Sequence, residues 1–340
     1  MESYDYDIIF IQGNLTPTRT HITGGEFIVN AIANDLAKDY NVAIAYIKNW
    51  ENNSAKNIIK TVIYSNRFIA DMIRKINNAS NNLNKSVDIL IIKNENDLPE
   101  TKIIIANFAT TVDISDKYLD KHSTTKGFHF IQNELDVGSS RSRHLCNIVV
   151  NKKDSKRFNA KAIIPIGIEN KWFITEKKEN IIIFPLRPED YKGAKYILEA
   201  SKSIHEKFPE YKQIGFGWYN KQIPDYIEFK RNIKEKDLIK LFAKSKIFIL
   251  PSITEGFSLT NLQAMATGCK VITTDCGGIR EYSNKDNSII VPIKNSIAIV
   301  EAVSKLINGD YSRLINGGKE TARKYKLDNT LIAFRQAISV

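Results

Sequence analysis

The chain has 340 residues, 43% of them hydrophobic and 26% charged, an ordinary globular composition that excludes an extended disordered chain. That length suits one large or two medium domains, with a core large enough to need no disulfide or metal staple. Lys and Arg number 49 against 38 Asp and Glu, a net charge of +11 whose surplus lies mostly in the second half. Such a surface attracts phosphates, but Ile, Asn and Lys are abundant throughout, so charge alone assigns no partner. The three cysteines, Cys146, Cys269 and Cys276, form no C-x-x-C pair, which argues against a disulfide framework and a Cys-type zinc site. No window approaches roughly 18 uninterrupted apolar residues, and the acidic start runs straight into Ile8–Ile11. Neither a membrane span nor a signal peptide is expected, and the reading is a soluble cytoplasmic protein.

Short Ile/Val-rich runs alternate with longer amphipathic stretches. In chain order the first half offers strands at Asp7–Ile11, Val42–Ile47, Val87–Ile92, Ile103–Asn107, Gly127–Gln132, Ile148–Val150 and Ala162–Pro165. The second half offers Ile181–Pro185, Gln213–Phe216, Ile247–Pro251, Lys270–Thr273 and Ser288–Pro292. Unbroken apolar runs of this length suit strands buried on both faces, as in parallel sheets. Helical patterns lie between them at Glu26–Lys38, Lys195–Lys207, Asp237–Ala243 and Leu259–Thr267, and a last one follows at Tyr325–Val340. The alternation predicts α/β architecture with two facing Rossmann-like doubly wound domains, residues 1–165 and 166–324, and a cleft between them. Ligands of such sheets sit beyond the carboxyl ends of the strands, so the motifs that follow those runs matter most.

The most informative stretch is 249–268. A buried strand ends at Pro251, a loop carries Glu255 and Gly256, and a helix starts near Leu259 and stops at Gly268. Backbone N–H groups at a helix N-terminus attract anions, and Gly256 lets a ligand come close to the main chain. On chemistry alone, Glu255 fits a ligand-binding loop and a simple dipole partner or cap equally well. Pro251, Ser252, Glu255, Gly256, Phe257, Leu259, Ala264, Met265, Ala266, Gly268, Val271, Ile272, Gly277 and Gly278 also stand at the spacing of a known signature. This segment closely resembles the donor site of retaining GT-B glycosyltransferases of the family 4 type. Ser258 stands where the family has Gly, Gln263 where it has a second Glu, and Lys270 where it has Pro.

The resemblance implies that Glu255 binds hydroxyls of the donor sugar. Gly256, Phe257, Ser258 and Leu259 then line the phosphates, and Gln263 faces the ribose. Gln263 donates and accepts hydrogen bonds without charge, which leaves the nucleotide's identity open and keeps a deoxyribose in play. Arg187 and Lys192 follow a buried strand and resemble the family's G-R-x-x-x-x-K-G stretch. A guanidinium and an ammonium there would stabilise the departing diphosphate. In the first half, Gly24 and Gly25 resemble the family's Gly-Gly loop, and Gln132 and Asn133 stand where many relatives place a His. Arg19, His21 and Glu134 are further candidates for acceptor contact, and His129, inside a strand, reads as packing. Gly215 belongs to a G-x-G near the base pocket. Trp218 and Tyr219 beside it are read either as a stacking surface or as packing.

The activity so implied is transfer of a sugar from a nucleoside diphosphate donor to an acceptor hydroxyl with retention, in glycan or glycoconjugate synthesis. No nucleophile is assigned. The expected partners are a nucleotide-sugar donor and a glycan, lipid-linked or protein-linked acceptor. Peripheral contact with the inner membrane face through helices such as Arg67–Lys75 stays open. No metal or other cofactor is expected, because the family is generally metal-independent and no D-x-D stands at a strand end. The resemblance also implies that residues 325–340 cross back to the first domain. A DNA-modifying GT-B enzyme and a non-catalytic sugar-nucleotide-binding relative are the alternatives; the basic surplus favours the first and Gln263 the second.

Overall fold

The Ile/Val runs become parallel strands because β-branched side chains pack well on a pleated surface that is covered on both sides. The computed structural model describes residues 4–13, 23–47, 83–133, 135 and 142–338. Arg19, His21, Glu134 and the Arg67–Lys75 segment lie outside them. Two compact units emerge. Unit 1 takes in the described residues up to Ile164 together with those from Leu331 onward, and unit 2 is Pro165–Thr330.

Unit 1 runs β1 (Tyr6–Gln12), α1 (Gly24–Leu36), β2 (Val42–Ile47), β3 (Val87–Ile92), β4 (Thr101–Ala106), α2 (Ala109–Lys121), β5 (Lys126–Ile131), β6 (Cys146–Val149), α3 (Lys152–Arg157) and β7 (Ala162–Ile163). All seven strands are parallel, in the order β3-β2-β1-β4-β5-β6-β7. α1 starts two residues before the expected Glu26. Thr23 accepts from the Glu26 N–H while the Glu26 carboxylate accepts from the Thr23 N–H, a capping box that fixes the first turn. The run at Ala162–Pro165 yields only a two-residue strand. One more ladder bond, from Ile164 N–H to Val149 O, precedes Pro165, which has no N–H to give.

Unit 2 runs β8 (Glu179–Leu186), α4 (Ala194–Lys207), β9 (Lys212–Gly217), β10 (Ile227–Arg231), α5 (Glu235–Lys244), β11 (Ser245–Leu250), α6 (Leu259–Ala266), β12 (Lys270–Thr274), β13 (Ile289–Val291), α7 (Ser296–Asn308) and α8 (Ser312–Lys324). Its parallel order is β10-β9-β8-β11-β12-β13. The two sheets share the doubly wound rule, in which the order reverses next to the first strand. The reversal lies between β1 and β4 in unit 1 and between β8 and β11 in unit 2. In sheets of this kind ligands bind beyond the carboxyl ends of the strands at such a reversal.

The last helix, α9 (Leu327–Ile338), carries the chain from unit 2 into unit 1. At its start the Leu327 N–H donates to Ile168 O, and the Thr330 hydroxyl donates to Pro165 O. Further along, Phe334 is fully buried, with its ring stacked on Phe10 at 6.2 Å and edge-on to Phe130 at 5.2 Å. Arg335 reaches Asp35 at 2.6 Å and Asp39 at 2.8 Å. No helix among the described residues is long and apolar enough to cross a membrane.

The two α9 contacts differ in kind, so their loss should differ in size. Phe334→Ala should cost about 3–5 kcal/mol through lost burial and a cavity. Arg335→Ala should cost about 1 kcal/mol, because its guanidinium is partly hydrated. Denaturant unfolding of the full chain would check both, and equal losses would contradict this account of the helix.

Candidate functional site

Unit 2 builds its site at the β8/β11 reversal. β8 ends at Leu186, and Arg187 is the first residue beyond it; a tight turn then carries Glu189, Tyr191 and Lys192 to Gly193, the residue before α4. β11 ends at Leu250, and Pro251, Ser252 and Glu255 follow. The two loops are clamped together. The Ile253 N–H donates to Tyr191 O at 2.7 Å. Gly193 sits at φ +72° with its α-carbon against the main chain of Pro251, where a Cβ would lie 2.0 Å from the carbonyl oxygen. Only glycine meets both demands.

This clamp brings the expected Lys192 and Glu255 into contact. Lys192 Nζ donates to Glu255 Oε1 at 2.9 Å, and the Ser252 hydroxyl donates to the same oxygen at 2.7 Å. Glu255 is 9% exposed and Lys192 21%, so the pair is largely shielded from water. Burial works against the lysine's charge, but the Glu255 carboxylate outweighs it and raises the Lys192 pKa above its ordinary 10.5. A raised lysine pKa stabilises the fold at all lower pH, and that contribution is lost only as the pH rises past 10.5. The backbone of Glu255 is pinned separately: its N–H donates to Cys276 O, and Gly278 N–H donates to its carbonyl, which ties the loop to the Gly277–Gly278 turn. Burial, with Glu255 nearby, pushes the Cys276 thiol up to about 12, so it stays protonated at neutral pH.

Arg187 lies in the same group. Burial lowers its pKa, offset in part by Glu189. Its Nη2 donates to Glu189 Oε1 at 3.2 Å, and its guanidinium carbon lies 3.0 Å from the centroid of the Trp218 ring. The buried Arg187 Nε has no hydrogen-bond partner. Trp218, read from sequence as a stacking surface or as packing, here stacks on an arginine, while Tyr219 is buried in the core.

α6 begins at Leu259 with no side-chain cap. Leu259 and Gln263, one turn apart, are both half-buried, whereas Asn261, Leu262, Ala264 and Met265 are buried. The Phe257 side chain points into the protein, where it packs against Tyr282 at 5.1 Å and Tyr325 at 5.5 Å. The Tyr282 hydroxyl reaches Phe257 O at 2.8 Å and Ser258 O at 2.9 Å, which holds the loop's shape. Any ligand contact from Phe257 is therefore through its backbone. Gly215 lies inside β9 beneath Leu186, a buried strand position and not a loop end.

Unit 1 assembles a second polar group at its own reversal. Gly24 and Gly25 open α1, and Gln132 Nε2 donates to Gly25 O at 3.3 Å. Asn133 Oδ1 accepts from the Leu135 N–H. Sequence reasoning missed Gln12 at the end of β1, whose amide is buried with neither atom hydrogen-bonded. It also gave no role to Asn107 just past β4, whose Oδ1 is likewise buried and unbonded. A polar residue closing an apolar run was the available signal. His129 is buried in β5, and burial holds its pKa at about 4, so the ring is neutral at pH 7.

Ser258 caps α6 at φ +68°, a left-handed conformation that costs a non-glycine residue about 1–2 kcal/mol. Ser258→Gly should therefore raise stability by up to about 1 kcal/mol, offset by the freer unfolded chain. A thermal melt that shifted down would show that the serine hydroxyl, 3.2 Å from that of Thr260, contributes more than the strain.

Residues 168–321 match the family described as Glycosyl transferases group 1. An uncharacterized glycosyltransferase of Methanocaldococcus jannaschii is 25% identical over 234 residues, 65% of this chain and 65% of that protein. The N,N'-diacetylbacillosaminyl-diphospho-undecaprenol alpha-1,3-N-acetylgalactosaminyltransferase of Campylobacter jejuni is 25% identical over 227 residues, 61% of this chain and 60% of that protein. The chain thus matches less than two thirds of the length of either relative. Among solved structures, sucrose-phosphate synthase of Thermosynechococcus elongatus has a TM-score of 0.70 at 15% identity, covering 98% of both chains. HepE of Anabaena, in complex with UDP and glucose, has a TM-score of 0.74 at 12% identity, covering 98% of this chain and 99% of that one. Residues 168–321 thus match the glycosyl transferases group 1 family model, and the two parallel sheets share the GT-B fold of solved glycosyltransferases.

Proposed function

We propose that the chain transfers a sugar from a nucleoside diphosphate sugar to an acceptor hydroxyl, with retention, in glycan or glycoconjugate synthesis. The observation that carries this reading is the Arg187–Lys192–Glu255 group at the β8/β11 reversal, two cations and a carboxylate at the carboxyl edge of a doubly wound sheet. Lys192 and Ser252 both engage Glu255 through Oε1, which leaves Oε2 to accept a donor-sugar hydroxyl. The diphosphate gains negative charge as the glycosidic bond breaks. Arg187, with an unused Nε, and Lys192 stabilise it there, together with backbone amides of the Gly256, Phe257, Ser258 and Leu259 stretch that leads into α6. These side chains supply the leaving group's counter-charge without a metal ion. Gln263, on the half-buried face of α6 with Leu259, takes the ribose side, and Gly215 underlies the base side. In unit 1 the polar group of Gly24, Gly25, Gln132 and Asn133 is assigned to the acceptor.

Two relatives guide the choice of substrates. HepE holds UDP, which makes UDP the first nucleotide to test, and the Campylobacter enzyme's name specifies a diphospho-undecaprenol acceptor, which makes a lipid-linked acceptor the first class. A lipid-linked acceptor would bring the chain to a membrane surface.

Thermal unfolding against UDP, GDP, ADP and dTDP, with chelator present, tests the nucleotide site. A ligand at 100 times its Kd should stabilise the wild type by about 2.7 kcal/mol, and Arg187→Ala should lose that shift. No shift with any of the four, together with a shift from duplex DNA, would sink the reading. For turnover, Arg187→Ala and Lys192→Ala should each lower kcat by roughly 10²–10³, the usual cost of removing a group that stabilises developing charge. Unchanged turnover in both would remove them from the chemistry.

A further inference from the structure

The ion pair between Arg187 and Glu189 uses little of what either side chain offers. The pair is local: the two residues stand two apart, on either side of Pro188, in the turn that follows β8. A single bond joins them, Nη2 to Oε1 at 3.2 Å, longer than charge-assisted bonds usually run. Arg187 Nε and Glu189 Oε2 are both buried and without a hydrogen-bond partner. A partly buried pair so incompletely bonded recovers only part of the available attraction.

Arg187 does not need Glu189 to hold its place. The guanidinium carbon lies over the Trp218 ring, 3.0 Å from its centroid, and Trp218 is the residue just past the end of β9. Gly217, at φ +133°, brings the chain so close to β8 that a Cβ would stand 2.4 Å from Leu186 O. One residue beyond Trp218, the carbonyl of Tyr219 accepts from Arg231 Nη2. One face of the guanidinium is therefore fixed by an aromatic wall, while its hydrogen-bonding edge carries a loosely held carboxylate.

We infer that Glu189 is a built-in competitor for Arg187, occupying the guanidinium when the nucleotide is absent and giving way to the donor's diphosphate when it binds. This rests on the nucleotide site proposed above. A phosphate offers several oxygens and reaches Nε and an Nη together, which the single carboxylate contact does not. The displaced Glu189 side chain, 33% exposed in the pair, has water to move into. After transfer the same carboxylate returns to Arg187 and helps to expel the nucleoside diphosphate. Trp218 keeps the guanidinium in place through both exchanges.

The test is calorimetric titration of wild type, Glu189→Gln and Glu189→Ala with UDP, GDP, ADP and dTDP, and with the matching monophosphate of whichever binds. Both variants should bind that diphosphate at least fivefold more tightly than wild type, mainly through slower release, and the monophosphate should gain less. A residue that served only to hold Arg187 in place would give the opposite sign. Unchanged or weaker diphosphate binding by Glu189→Gln therefore overturns the inference while leaving the nucleotide site intact. A wild type that binds none of the four removes the site and the inference with it. A thermal melt of each variant confirms that the comparison is between folded proteins.

Discussion

The proposed chemistry in unit 2 depends on one close approach, the main chain of Gly193 against the carbonyl of Pro251. Two loops that leave β8 and β11 on either side of the sheet's reversal would otherwise diverge, because helices pack on opposite faces there. With no side chain between them, the Ile253 amide reaches Tyr191 O, and Lys192 meets Glu255 across 63 positions of sequence. Alanine at 193 would need the loops to part and would also sit at an unfavourable φ. The order of dependence therefore runs from backbone contact to ion pair to ligand chemistry. The charged residues do not hold the site together; the site holds them.

Charge in this region is balanced more closely than the chain's net +11 suggests. Each cation of the group has its own carboxylate: Glu255 for Lys192 and Glu189 for Arg187. The two pairs differ in completeness. Glu255 Oε1 receives two donors, and the residue's backbone is tied to Cys276 and Gly278, so this pair is a fixed part of the loop. Arg187 and Glu189 share one long bond and leave buried atoms unused. A site meant to hold an anion briefly benefits from one cation that is anchored and one that can change partners. Arrays of fully satisfied cations would bind product as firmly as substrate.

How much of this was legible in the sequence follows from what each signal depends on. Strands such as Val42–Ile47, buried on both faces, are unbroken apolar runs and read directly. β10, with Ile227, Glu228, Phe229, Lys230 and Arg231, was not read, because an edge strand is half solvated and its polar residues interrupt the run. α2 was also passed over; Thr, Val and Ile dilute its helical pattern, and its buried face includes Ser115 and Asp116. Glu255, Lys192 and Arg187 were singled out because their spacing resembles a family motif, since a loop between a strand and a helix keeps its register. What spacing does not carry is which partner a side chain chooses. Glu189 resembled any acidic turn residue, and Trp218 was read as a stacking surface or as packing, when it is the wall behind Arg187. Gln12 ends an apolar strand, and only its buried, unbonded amide marks it out.

The path of α9 bears on the order in which the molecule is made. Unit 2 is continuous, from Pro165 to Thr330, and its contacts are complete once that stretch has left the ribosome. Most of unit 1 precedes it but lacks the ring of Phe334 between Phe10 and Phe130, and the guanidinium of Arg335 beside Asp35, until the last turns of α9 are synthesised. The half that emerges first is thus the half that finishes last. Until then its sheet carries an open apolar position at Phe10 and Phe130, and unit 2 is made before the two segments that flank it meet in one core.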